Sequence, residues 1–172
     1  NNTKAILSYT QAERLVNDIN IPYATGLLYA RIGEIFFLQY DYPKSLDAYT
    51  KALQYYTLAD KKSHQIYTKI NIGQIYLNYK QYDKAERIIT EALEWSFQNN
   101  KNLCQGCIDI LSTIYVDTNN ESKLDSLLNS KQIKGCGDDL QTLQAKAYLF
   151  ARKQDIVGAS THLQQAWTLA KN

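Results

Sequence analysis

The stretch Ile32-Gly33-Glu34-Ile35-Phe36 returns forty residues later as Ile72-Gly73-Gln74-Ile75-Tyr76. A fixed period of that length marks stacked copies of one small unit, none of which can bury its apolar face without its neighbours. Around the first copy, Leu27, Leu28, Ala30, Ile32, Ile35, Phe36 and Phe37 recur at helical spacing across residues 26–40. A break follows at Asp41-Tyr42-Pro43, where an aspartate can cap and a proline fits the first helical turn. A second helical run then carries Leu46, Ala48, Tyr49, Ala52 and Leu53, so the pair reads as a helical hairpin.

Working outward, the same plan continues in both directions. The next pair has Ser63 as its expected cap, a helix to about residue 79, a turn at Lys80-Gln81-Tyr82 and a second helix over 83–98. A third pair covers 104–116 and 122–133, separated by Asp117-Thr118-Asn119-Asn120. Lys134-Gly135-Cys136-Gly137-Asp138-Asp139 is the most loop-like stretch, and a fourth pair runs over 140–153 and 155–171. Upstream, Ala5, Leu7, Tyr9, Ala12, Leu15, Val16 and Ile19 space themselves along one face of an opening helix.

Composition sets the outer bounds. The chain has 172 residues, 45% hydrophobic and 21% charged, enough for a core in one domain. Seven glycines and two prolines argue against a turn-rich β fold, so the class is all-α. Lys and Arg number 19 against 17 Asp and Glu, interspersed along the chain, which disfavours nucleic acid as a partner of this segment. No window approaches a membrane span, so no direct membrane insertion by this segment is expected. The compartment stays open between the cytoplasm and the cell envelope. With no methionine anywhere, we expect a matured or excised piece of a longer chain.

The repeated positions resemble the tetratricopeptide repeat family. The first hairpin offers Tyr29, Ile32-Gly33 and Phe36, then Ser45, Tyr49 and Ala52; the second offers Ile72-Gly73 and Tyr76, then Ala85, Ile89 and Ala92. The third keeps Ile108, Leu111-Ser112 and Tyr115 but has Leu124, Leu128 and Lys131 where small, aromatic and small residues belong. The fourth has Leu143, Ala147 and Phe150, then Ala159, Leu163 and Ala166. Small residues belong at such places because helices approach to about 8–10 Å only where no large side chain intervenes. The spacing of 40, 39 and 35 residues departs from the family's commonest unit of about 34. It is similar to the longer units of kinesin light chain relatives and bacterial peptide-sensing regulators.

That resemblance implies a right-handed superhelix of about nine helices in a single domain over 1–172. Its expected parts are the second helix of a truncated repeat (1–22), repeats at 24–60 and 62–100, a degenerate repeat at 102–134, and a fourth at 138–172. The half-repeat follows from Ala5, Tyr9 and Ala12, which stand forty before Ser45, Tyr49 and Ala52. It implies a longer array, within a larger bacterial regulatory or cell-envelope protein.

The resemblance also implies a concave face that binds a protein or peptide. Its stripe comprises Leu27, Ala30, Glu34, Phe37 and Leu38, then Tyr67, Ile70, Gln74, Leu77 and Asn78. It continues through Asp109, Thr113, Val116 and Asp117 to Gln144, Tyr148 and Arg152. The first half is apolar and the second polar, which suits an amphipathic helix or an extended peptide. The alternative is that Phe37, Leu38 and Leu77 pack against neighbouring helices. A family clamp for a terminal carboxylate would need lysine and asparagine where Ala30 and Glu34 stand. A function of another class is self-assembly into a homo-oligomer through exposed terminal helices, since Leu163, Ala166, Trp167, Leu169 and Ala170 need cover.

Residues that could carry chemistry are few. Cys104-Gln105-Gly106-Cys107 is a lone CxxC, and His64 and His162 lie in different repeats, so neither zinc nor any other metal or cofactor is expected. No phosphate loop or nucleophile–base set appears, and no enzyme is expected. In a stacked array the start of the third repeat and the loop entering the fourth lie at one end. Cys136 could then bridge to Cys107 or to Cys104. The other reading is three reduced thiols packed as small apolar groups. Most of the fourteen tyrosines fall on packing positions, while Tyr67 and Tyr148 fall on the stripe.

Overall fold

Pro22 opens the first described helix, where its missing N–H costs nothing, and Gly26 and Gly33 then punctuate one face of it. The computed structural model describes residues 21–130, 136 and 140–171. The expected opening helix, the end of the third hairpin including Lys131, and most of the loop around Cys136 lie outside the described residues. Eight α-helices are described: α1 (Pro22–Leu38), α2 (Tyr42–Leu58), α3 (Lys62–Asn78), α4 (Tyr82–Asn99), α5 (Cys104–Asp117), α6 (Glu121–Asn129), α7 (Leu140–Arg152) and α8 (Ile156–Ala170). A single 3-10 turn, Lys101–Leu103, precedes α5. No strand occurs among the described residues; the fold is an all-α array of helical repeats.

The first four helices open at residues 22, 42, 62 and 82, in equal steps. Five helices, α1, α2, α3, α5 and α7, end in the same way. Tyr40, Asp60, Lys80, Asn119 and Gln154 all adopt the left-handed conformation, with φ between 51° and 61°. In each case the next residue's N–H reaches back to a carbonyl five residues earlier: Asp41 to Phe36, Lys61 to Tyr56, Gln81 to Tyr76, Asn120 to Tyr115, Asp155 to Phe150, at 2.8–2.9 Å. This pairing satisfies the carbonyls that a helix end leaves orphaned. That same next residue caps the following helix. Asp41 accepts from the Lys44 N–H, Asn120 from Lys123 and Asp155 from Gly158. Ser63 was expected to cap α3, but the chain enters that helix at Lys62 straight after the turn. Lys61 is the cap residue, without a side-chain bond, and Ser63 falls in the first turn.

The chain divides into two compact units, Asn1–Gln81 and Tyr82–Asn172. In the first, α1 packs on α2 and α2 on α3. A Cβ at Gly33 would stand 2.8 Å from Cδ1 of Tyr49, and one at Gly26 would stand 2.8 Å from Cδ1 of Tyr56. Two glycines seven apart thus receive two tyrosine rings seven apart on an antiparallel helix. Between them the buried Ser45 hydroxyl donates to the Gly33 carbonyl at 2.8 Å. Tyr29, Ala52 and Tyr56 form the buried centre, with Ala30, Ile32, Tyr23 and Tyr55 packed on it. His64 is half-buried against the rings of Tyr23 and Tyr56, with centroids 5.2 and 5.0 Å away.

In the second unit α5 is the hub, touching α4, α6 and α7, while α7 also packs on α8. Ala85, Ile89 and Ala92 of α4 and Cys104, Cys107, Ile108, Leu111 and Ile114 of α5 are all closed to solvent, and the two helices pack on each other. Leu124 and Leu128 are the buried residues of the short helix α6. On the α7/α8 hairpin Gly158 lies under the Phe150 ring, where a Cβ would come within 2.4 Å of Cδ1. Leu163, expected to fill the large position between Ala159 and Ala166, is instead 55% exposed. His162 takes the place against Phe150, stacked at 4.9 Å with the rings 17° apart.

Candidate functional site

Side chains at i, i+1 and i+4 share one face of a helix. Ser112, Thr113 and Val116 on α5 stand in that relation, and so do Gln144, Ala145 and Tyr148 on α7. The two triplets line one open concave space of about 340 Å³ in the second unit. Its floor holds an unmet need. Ser112 is 2% exposed and its hydroxyl has no hydrogen-bond partner. A buried hydroxyl left unpaired costs about 1–3 kcal/mol. The Thr113 hydroxyl is already spent on the Asp109 carbonyl at 2.8 Å.

The ends of the space are fixed by side-chain bonds between helices. Toward the start of α5, the Gln105 amide donates to Asp109 Oδ1 at 2.9 Å and to Thr142 Oγ1 of α7 at 3.1 Å. Its own Oε1 is buried without a partner. At the other end the Tyr148 hydroxyl donates to Asn119 Oδ1 at 3.1 Å. One turn further along α7, the Arg152 guanidinium donates to Glu121 Oε1 at 2.6 Å, and that carboxylate holds it still more firmly in its charged form. Asp117, at the end of α5, accepts from the Tyr82 hydroxyl at 3.2 Å. Thr113, Val116, Gln144 and Tyr148 of the expected stripe therefore border one space, while Asp109, Asp117 and Arg152 are engaged with neighbours beside it. Ser112 and Ala145 were not among the expected residues. Ser112 had been read only as the small member of a large-small pair, and its hydroxyl's lack of a partner depends on geometry that spacing does not carry.

In the first unit the expected residues divide by exposure. Leu27, Leu38, Tyr67 and Asn78 are exposed, Leu38 to 68% and Tyr67 to 52%. Ala30, Phe37, Ile70, Gln74 and Leu77 are half-buried. Ala30 packs on the Tyr29–Tyr56 cluster and Phe37 on the Tyr42 ring at 5.6 Å. Glu34 pairs with Arg31 at 2.8 Å, an exposed contact of small energetic weight. Burial pushes the Tyr49 phenol well above its ordinary range, and the nearby Glu34 carboxylate adds to it.

No cluster of three or more metal-ligating side chains exists among the described residues, and no described helix is long and apolar enough to cross a membrane. The arrangement offers hydrogen bonds and apolar contact along a groove.

A family model described as the tetratricopeptide repeat protein 21 fourth ARM domain matches residues 44–156. Among solved structures, the crystal structure of BtubC (BKLC) from P. vanneervenii aligns with 98% of this chain and 75% of its own, with a TM-score of 0.71. Identity is 15%, so the likeness is one of fold. No curated protein sequence matches the chain.

Proposed function

The chain belongs to the helical-repeat family of the tetratricopeptide repeat protein 21 fourth ARM domain, and on that footing we propose that it binds an extended or helical peptide along its repeats. Arrays of this kind serve in general as scaffolds for protein interaction and are typically not catalytic. The observation that carries the finer reading is the pair of matched triplets, Ser112/Thr113/Val116 and Gln144/Ala145/Tyr148, bordering one concave space. Apolar contact from Val116, Ala145 and the Tyr148 ring would hold the peptide's side chains. The Gln144 amide would meet its backbone. We further propose that the array is of the long-unit tetratricopeptide type and a module of a larger bacterial regulatory or cell-envelope protein, as its resemblance to peptide-sensing regulators supports.

Panning the immobilised chain against a displayed random-peptide library tests this. Enriched peptides are expected to bind Val116→Glu and Tyr148→Ala at least tenfold more weakly by calorimetry, with far-UV circular dichroism unchanged. Equal binding by both variants would refute the groove. A second reading, self-association, is favoured by α8, where Ile156, Val157 and Trp167 are 80%, 78% and 61% exposed. Sedimentation of the same preparations separates the two, since a monomer at every concentration excludes it.

A further inference from the structure

The three cysteines are not equivalent. Cys104 and Cys107, one turn apart at the start of α5, are closed to solvent, whereas Cys136 is half-exposed. Cys136 packs against the buried pair Cys104 and Ile108, in company with Leu93, Phe97 and Leu127. Of the two buried cysteines, Cys104 is the one in that cluster with Cys136. Cys107 is not part of the cluster that Cys136 packs against. One accessible cysteine thus touches one inaccessible cysteine at the start of α5.

We propose that Cys104 and Cys136 form a reversible thiol–disulfide exchange site, entered at Cys136 by a small-molecule disulfide of the glutathione class. In the first step Cys136 releases its proton to solvent and its thiolate attacks one sulfur of the disulfide. The S–S bond of the reagent breaks, a mixed disulfide forms on Cys136, and one glutathione leaves as a thiolate that takes up a proton. In the second step Cys104 attacks the Cys136 sulfur, its own proton going to the departing second glutathione. Two protein thiols are oxidised and one glutathione disulfide is reduced to two thiols. Cys136 is the entry point because it alone of the three is open to solvent, and Cys104 the resolving thiol because it already lies in contact.

The surroundings also set the pace. Burial pushes the Cys104 thiol up to about 12, with the Cys136 contact adding to it, so the attacking thiolate is scarce near neutrality. The second step is therefore slow and quickens as pH rises. The bond would close a loop of about 30 residues through α5 and α6, beside the Gln105–Thr142 bond that ties α5 to α7. For such a loop the restricted unfolded state corresponds to a melting point higher by about 5–10 °C.

The experiment equilibrates the whole chain in glutathione redox buffers, then quenches with a maleimide under denaturing conditions and counts labels by mass. Three labels are expected in the reducing buffer and one, on Cys107, in the oxidising buffer. No Lys or Arg lies between Asn102 and Ser122, so trypsin leaves Cys104 and Cys107 on one peptide and the variants must assign the partner. Cys107→Ser is expected to keep the bridge and Cys136→Ser to show two labels and no adduct. Cys104→Ser should accumulate a glutathione adduct on Cys136. Three labels at every glutathione ratio, or a Cys107–Cys136 link in the unsubstituted chain, would overturn the assignment. A bridge that leaves melting unchanged or lowers it would overturn the claim that the two thiols are placed to join.

Discussion

The α1/α2 hairpin of the first unit and the α7/α8 hairpin of the second solve one packing problem with the helices' roles exchanged. In α1/α2 the first helix supplies the glycines, Gly26 and Gly33, and the second supplies the rings, Tyr56 and Tyr49. In α7/α8 the ring, Phe150, is on the first helix and the glycine, Gly158, on the second. Close approach requires that one side lack a Cβ where the other brings a ring; it does not matter which. What differs is the setting. Tyr49 and Tyr56 are 4% and 2% exposed, whereas Phe150 is half-exposed at the rim. A ring enclosed on all sides cannot yield, and a ring at the rim can.

Truncating the rings should give the widest separation between the hairpins. Tyr49→Ala is expected to cost about 3–5 kcal/mol in urea denaturation, as for other large buried aromatics, and Phe150→Ala less than half of that. Equal costs would mean that burial of the ring is not what distinguishes them. Filling the glycines is the next test. Gly33→Ala drives a methyl into a fixed ring, and overpacking of that kind costs about 1–3 kcal/mol. Gly158→Ala meets a ring at the rim and gains up to about 1 kcal/mol of helix propensity, so its net cost should fall below that of Gly33→Ala. A Gly33→Ala chain as stable as the parent would show that α1 and α2 can separate without loss.

The smallest effect is one of pH. Burial raises the Tyr56 phenol to about 12, with Tyr23 nearby adding to it, whereas an unfolded tyrosine ionises near 10. The folded state then keeps a proton that the unfolded state gives up. This contribution is fully present below pH ~10 and is lost as pH rises from about 10 to about 12. Tyr56→Phe should therefore flatten part of the alkaline fall in stability, followed by denaturation at pH 9 and pH 11. Phe150 has no proton to lose, so Phe150→Leu should leave the slope alone; a change in slope there would break the comparison from the other side.

The reading of residues before any geometry was known reached the all-α repeat and one of the two glycine contacts in α1. Gly33 was legible because it stands inside the echo at Gly73, and Tyr49 because it stands where a repeat's second helix wants an aromatic. Gly26 and Gly158 were not, since neither sits at a repeated position and a ring's approach to them depends on how the helices are set against each other. Leu163 misled for the same reason. The spacing marks it as the large residue between two alanines, but the place beside Phe150 is taken by His162, whose Nδ1 also lies 2.8 Å from the Gly158 carbonyl. At the groove, Thr113, Val116, Gln144 and Tyr148 could be placed from helical spacing. The Gln105–Thr142 bond could not, because it joins residues 37 apart and depends on the register between α5 and α7.

The helix stops hold a consequence for how such a chain can change. None of the five left-handed residues is glycine; they are a tyrosine, an aspartate, a lysine, an asparagine and a glutamine, and all five side chains are exposed. The penalty of that conformation, about 1–2 kcal/mol, comes from the Cβ that all five share, while the bonds that fix the bend are made by the backbone. A ring, a charge of either sign or an amide can thus make the bend at nearly constant backbone cost. The fold thus holds its bends without glycine, and the exception to free exchange is Asn119, whose side chain also holds the Tyr148 hydroxyl.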